Sequence, residues 1–429
     1  MIPYRRILQV TFTVAAMLSL TALAPPPAGT RIVDSAILAE QVGLVGAAQF
    51  LSDHPGLNAA AIDRDPAVVA EWWRSLTRAE RAQLVEEMPE VVGSLAGVDY
   101  SSRNAANRVE LEREIAAAFE LLTRRQLDEP GRERLEALRA IESAAAPKGR
   151  YLLQLTTDSP PLAAISIGKL DRARMVTFAV PGMGTYTTDM QLWTRAAKNI
   201  YDAQAAAGAS GHAVVAWIGY RTPPVGLEAT RDAYADRGAV LLERDILGLR
   251  AVRGDRQPVI NVVAHSYGAT TAAKALRNDL GVRSFVMLGS AGVDPSIGTS
   301  ASIMAEHVFT GEADADLQAR WGRTDRLDPC GPAFAAVRLP VDGDPAAGLL
   351  PVTGHAPIVH SPWNDNPESP VWTAYADADV REALYARHMA SFGYFDLGTE
   401  SLASVGAVTT PPLTKAHGYR TSSLTKSSS

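Results

Sequence analysis

The chain has almost no cysteine. Among its 429 residues only Cys330 is one, which excludes an intrachain disulfide and any cysteine-built metal cluster. It also lacks an excess of positive charge: 41 Lys and Arg stand against 47 Asp and Glu, a formal charge of -6. Such a balance leaves no electrostatic footprint for nucleic acid, and no nucleic-acid partner is expected. No metal-ligand spacing recurs along the chain, so neither a metal nor a cofactor is expected. Long uncharged runs are scarce as well. One stands out, Ile7 to Ala24 in "MIPYRRILQVTFTVAAMLSLTALAPPPAGT", behind Arg5 and Arg6 and ahead of a proline cluster. That is the layout of a secretory signal or of an uncleaved membrane anchor. The expectation for residues 1–30 is a leader or anchor, with a secreted or envelope-associated address and membrane association through this segment. A cytoplasmic address is the alternative. The polar end, "KAHGYRTSSLTKSSS", is expected to be a disordered tail over 411–429.

What is present is ample apolar material, 47% of the chain, enough for one large domain and a smaller region beside it. Up to about residue 145 the apolar residues recur at helical spacing. "DPAVVAEWWRSL" opens on an Asp-Pro helix start, Thr77 and Glu80 form a capping box in outline, and "SSRNAANRVELEREIAAAFELLTRRQL" reads as one long amphipathic helix. Trp72 and Trp73 suggest a ligand platform, but aromatic residues on such helices are more often core. Near Gly149 the period changes. "GRYLLQLTT", "PLAAISIG", "RMVTFAVPGMG", "HAVVAWIGY", "PVINVVAHS", "VRSFVMLGSAGV", "AEHVFTGEAD" and "FAAVRLPV" read as strands, several of them separated by helical segments. Continuous apolar strands alternating with helices imply a mostly parallel sheet covered on both faces. The fold class expected is α/β. A helical region over 31–145 precedes an α/β domain over 146–410.

The stretch "VINVVAHSYGATTAAKAL" is where the chemistry concentrates. A buried strand turns at once into an alanine-rich helix, and Ser266 sits in the turn with Ala264 and Gly268 two residues away on either side. This is the form of a nucleophile elbow, in which small neighbours let a strained backbone lift a serine hydroxyl out of the sheet. Upstream, "MVTFAVPGMGT" ends a strand in Pro181-Gly182-Met183-Gly184, the place of an oxyanion-hole loop. The backbone N–H groups of Met183 and Tyr267 are the expected donors. A phosphate-cradling reading of the same loop lacks both the P-loop lysine and the dinucleotide spacing.

Taken together, "VPGMGT", "WIGY", "AHSYG" and "LGSAGV", with "WW" and "AANR" in front and "GTESL" behind, resemble the actinobacterial α/β-hydrolases once grouped as a domain of unknown function, DUF1023. The resemblance extends over roughly residues 50 to 410. It implies an α/β-hydrolase fold with Ser266 as nucleophile. Where the family usually has G-H-S-Y-G, this chain has Ala264 for the first glycine.

A serine needs a histidine to take its proton and a carboxylate to orient that histidine, and in this fold they follow in the order serine, acid, histidine. The acid is expected after the second strand beyond the elbow, in "EHVFTGEADADL". The resemblance implies Asp316 first and Asp314 second, with Asp325 and Asp328 as solvated loop residues. For the base, His307 comes too early and His417 lies in the tail. His355, His360 and His388 remain, with His355 and His360 better placed than His388, which reads as a helix end. His265, beside the serine, is expected to pack or hydrogen-bond rather than to react. The expected function is an esterase-like serine hydrolase acting on a small-molecule or lipid-like acyl substrate. An acyltransferase using the same site, or a non-catalytic binding protein of the cell envelope, are the alternatives.

Overall fold

The computed structural model describes residues 65–411. The leader expected over 1–30, the part of the expected helical region before residue 65 and the tail after 411 lie outside the described residues. Among the described residues no helix is long and apolar enough to cross a membrane.

The first described helices form as sequence periodicity requires. Helix α1 (Pro66–Ser75) starts where the Asp65 carboxylate accepts from the Ala67 N–H. Helix α2 (Arg78–Glu87) starts with the full capping box, Thr77 Oγ1 accepting from Glu80 N–H and Glu80 accepting from Thr77 N–H. A short α3 (Pro89–Val92) leads to α4 (Tyr100–Thr123), capped by Asp99, and α5 (Glu129–Ala145), capped by Asp128. Trp73 is buried and gives its indole N–H to Asp99, and Trp72 packs beside it against a small core that includes Val91, Leu95 and Val98.

Eight strands follow in one sheet of order β1-β2-β4-β3-β5-β6-β7-β8. They are β1 (Arg150–Leu155), β2 (Ala163–Ile167), β3 (Met175–Val180), β4 (His212–Ile218), β5 (Val259–His265), β6 (Val282–Leu288), β7 (Ala305–Gly311) and the short β8 (Val337–Arg338). β1, β2 and β4 pair antiparallel, and every pairing from β4 through β8 is parallel. The parallel strands β3, β4 and β5 are buried almost throughout, which is why they read as apolar runs without alternation. Helices α6 (Met190–Ala206), α7 (Ala233–Arg253) and α8 (Tyr267–Ala275) supply the crossovers, and α12 (Glu400–Thr409) packs on α6. Two apolar cores result, one on each face of the sheet.

The helical front end is not a separate body. Leu111, Leu138 and Ile141 belong to the same core as β1, β2 and β4. The "AANR" stretch fastens α4 to the edge of the sheet: Asn104 accepts from Leu152 N–H, Asn107 donates to Leu152 O, and Arg108 donates to Arg150 O. These bonds occupy polar groups of the edge strand β1 that would otherwise need water.

Candidate active site

At the end of β5 the chain turns through Ser266, whose backbone stands at φ 55° and ψ -126°, a conformation that a non-glycine residue adopts only when its surroundings impose it. Here they do. Ser266 N–H donates to Leu288 O, and Ser266 O accepts from Ala269 N–H and Ala291 N–H. The "LGSAGV" stretch after β6 is thus part of the clamp on the elbow. A methyl group on Gly182 would stand 2.6 Å from Ser266 Cβ, so the loop after β3 can lie against the serine only with glycine there. Gly289 plays the same part for the acid: a Cβ would meet Asp316 Oδ2 at 2.8 Å.

Ser266 is 2% exposed, yet it opens on a cleft of about 490 Å³ whose walls include Met183, Trp193, Val225, His355, Ile358 and Phe392. His355 Nε2 is 2.8 Å from Ser266 Oγ, and His355 Nδ1 is 2.9 Å from both carboxylate oxygens of Asp316. Asp316 is fully buried at the start of the five-residue helix α9 (Leu317–Trp321). Its Oδ1 accepts from Ala319 N–H, and its Oδ2 accepts from the Tyr394 hydroxyl. Burial would raise its pKa, but the bond to His355, the charge His355 can carry, the Ala319 amide and the Tyr394 hydroxyl outweigh it. The net effect is a carboxyl below its ordinary range. Burial and the Asp316 charge push the Tyr394 phenol up, so it stays protonated and donates.

His265 lies under His355. Its Nε2 is 2.8 Å from His355 O, with its ring 4.9 Å from that of His355 and 5.5 Å from that of Tyr394. Burial, helped by repulsion from His355, pushes its pKa down to about 3. It is therefore neutral, and its Nε2–H donates to the main chain of His355. The hydrogen-bonding role expected for it is the one it has.

Of the residues singled out from sequence, the structure brings together Ser266, Asp316 and His355, with Met183 in the cleft wall and Tyr267 directly after the serine. His360 is not part of this group. Its Nδ1 is 3.0 Å from Asp365 Oδ1, and His388 Nε2 is 2.8 Å from the same oxygen. The reason is the path of residues 353–360. Thr353 N–H donates to Phe392 O, and the N–H groups of Tyr394 and Phe395 donate to Ala356 O and Pro357 O. This pairing holds His355 over the elbow and carries His360 past it. Asp314 is exposed, Asp325 is exposed in a turn at φ 62°, and Asp328 pairs with Arg323. Two residues escaped the sequence reading, Tyr394 and the buried Asp396, which accepts from the N–H groups of Gly393, Val359 and His360. The only signal for them was an aromatic and an acid in "FGYFDLGTES", and nothing local says what either will meet.

Strand order, elbow and acid position define an α/β-hydrolase fold. Residues 158–322 match a family model described as alpha/beta hydrolase, and the motif resemblance agrees with that match. The matched segment includes Ser266 and Asp316 and ends before His355. A Mycobacterium tuberculosis protein described as uncharacterized is 26% identical over 352 residues, covering 69% of this chain and 53% of that protein. A Mycobacterium bovis protein described likewise is 29% identical over 197 residues, covering 41% of this chain and 71% of that protein. The chain thus spans about half the length of the first of these relatives. Among solved structures, XC6422 from Xanthomonas campestris, described as an α/β serine hydrolase without lid, has a TM-score of 0.30 and 17% identity, over 49% of this chain and 87% of its own. A dienelactone hydrolase from Anabaena variabilis has a TM-score of 0.30 and 16% identity, over 57% of this chain and 98% of its own.

Proposed function

We infer that the protein is a serine hydrolase that cleaves a carboxylic ester or related acyl substrate through an acyl-enzyme. The observation that carries this reading is the unbroken chain from Ser266 Oγ through His355 to the buried Asp316, with links of 2.8 and 2.9 Å. In the first half-reaction Ser266 Oγ bonds to the acyl carbon while its proton passes to His355 Nε2. The imidazolium is stabilised by Asp316 and hands that proton to the leaving oxygen as the ester bond breaks. In the second, water attacks the acyl carbon and gives a proton to the same nitrogen; the acyl–Oγ bond then breaks, Ser266 Oγ takes that proton back, and the carboxylic acid leaves. Asp316 fixes the tautomer by accepting from Nδ1–H, and Tyr394 and the Ala319 amide keep that carboxylate ionised.

The amides of Met183 and Tyr267 serve as the oxyanion donors. In support, the hydrogen bonds among the described residues engage neither N–H, and the close approach of Gly182 to Ser266 brings their loops together. Trp193, Leu192, Val225, Ile358 and Phe392 make the cleft walls largely apolar, which suits an acyl chain better than a charged group.

Labelling with a fluorescent fluorophosphonate tests the nucleophile. Wild-type protein should label at a single site, and Ser266→Ala should not label at all. Equal labelling of the two proteins would refute the assignment. A series of p-nitrophenyl esters of graded length then measures the acyl preference.

A further inference from the structure

His360, Asp365 and His388 form a second imidazole–carboxylate cluster outside the cleft. Their donor atoms, His360 Nδ1, His388 Nε2 and one Asp365 oxygen, lie within 4.8 Å of one another. Both nitrogens aim at a single oxygen, from 3.0 and 2.8 Å. The two imidazole centres are 5.3 Å apart with their planes at 55°. Imidazoles sharing one tetrahedral ion at about 2.0 Å keep their centres about 5 Å apart, and their nitrogens about 3.3 Å from a third ligand atom. The two nitrogen–oxygen separations would lengthen by about 0.3 and 0.5 Å to match that shell.

Asp365 pairs with no lysine or arginine among the described residues; only the two histidines face it. The contrast is with Glu312, Asp328 and Cys330, which also converge. There Arg320 and Arg323 already supply the positive charge. Around the histidine cluster the packing holds each donor in place. Trp372 lies against the His388 ring at 5.0 Å and Phe392 against the His360 ring at 5.0 Å, while Tyr385 donates its hydroxyl to Asp365 O.

We propose that His360, Asp365 and His388 bind a divalent transition-metal ion of the zinc class. Two imidazoles and one carboxylate are borderline-soft donors that favour such an ion over magnesium or calcium. The fourth position faces partly accessible ground, since the three side chains are 20%, 32% and 11% exposed in the order His360, Asp365, His388, and it takes water. The ion fastens the segment that carries His355 to helix α11 (Ala378–Met389), which carries His388. Phe392 and Val359 are shared between this corner and the cleft wall. The metal thus stiffens one wall of the cleft from behind, and its ligands are positioning residues.

The test uses the full chain without a purification tag, stripped with a chelator and titrated with Zn²⁺ by calorimetry and with Co²⁺ by visible absorption. One saturable equivalent is expected, with the intense visible bands of a four-coordinate cobalt site and a melting temperature raised by Zn²⁺. Asp365→Asn and His388→Gln should each weaken binding by about a hundredfold or more, since even groups that merely orient a ligand are worth ten- to hundredfold. Circular dichroism checks that both variants fold, and Asp365→Asn, an isosteric change at a partly exposed residue, serves if His388→Gln does not. His355→Gln should bind the metal as wild type does. Absence of saturable binding, titrations unchanged in the folded variants, or loss of binding in His355→Gln would each overturn the proposal. None of these results depends on whether Ser266 is a nucleophile.

Discussion

Two histidines five positions apart, His355 and His360, meet a carboxylate in opposite ways. His355 uses one nitrogen on a fully buried Asp316 and turns the other to a hydroxyl. His360 and His388 share one oxygen of the partly exposed Asp365, and no hydroxyl completes the line. The residue types are the same. What differs is the burial of the carboxylate and what stands on the far side of the ring. A buried acid with further donors on both its oxygens fixes one tautomer and leaves a lone pair aimed at the Ser266 hydroxyl, the arrangement the proposed hydrolysis needs. An acid shared by two rings gathers donors around one point, which makes a ligand set.

The comparison can be broken in order of effect. Ser266→Ala should lower kcat/KM for a p-nitrophenyl ester by about 10⁴-fold or more, the size of loss seen when a triad member is removed. Next comes the pair of acid substitutions. Asp316→Asn should cost about 10⁴-fold in turnover, because the amide stabilises the wrong tautomer of His355. Asp365→Asn should cost at least about a hundredfold less than that. Equal losses in steady-state kinetics would mean that the two clusters are not chemically distinct. Gly182→Ala sharpens the geometric side: its methyl group would press on Ser266 Cβ, and a displacement of the serine by about 1 Å is expected to cost about a hundredfold in kcat/KM.

The smallest effect concerns pH. His265 is held at about 3 by burial, against about 6.5 in an unfolded chain. Its folded pKa is lowered, so the unfolded state takes up its proton first. The stability tied to keeping it neutral is complete above pH about 6.5 and is lost progressively as pH falls toward about 3. The depressed Asp316 adds loss only lower, through the carboxylate range. His265→Gln should therefore flatten the fall in denaturation midpoint between pH about 6.5 and 5 while leaving the steeper acid limb. An unchanged profile would show that His265 is not the group titrating.

The strands were legible because parallel strands covered on both faces must be mostly apolar, and β3 through β6 are so but for a few polar residues such as Thr177, Asn261 and Ser284. The turn at Ser266 was legible for a similar reason: a strained bend between strand and helix demands small residues at fixed offsets, and Ala264 and Gly268 satisfy it. From residue 65 onward the region expected to be helical is built of helices. Its union with the sheet was hidden, because Asn104, Asn107 and Arg108 look like ordinary surface residues until Leu152 and Arg150 stand opposite them.

Which histidine meets Ser266 was hidden more deeply. His355 and His360 sit on the same short run, and chain order admits both. Only the pairing of residues 353–357 with Phe392, Tyr394 and Phe395 decides which ring reaches Ser266. Local constraints on the backbone, which are written in neighbouring residues, let the sequence determine the elements, the elbow and the order of the sheet's chemistry. Contacts between segments far apart in the chain are not written locally. The tertiary structure alone therefore decided which histidine faces the serine, that Tyr394 supports Asp316, and that His360 and His388 meet at Asp365.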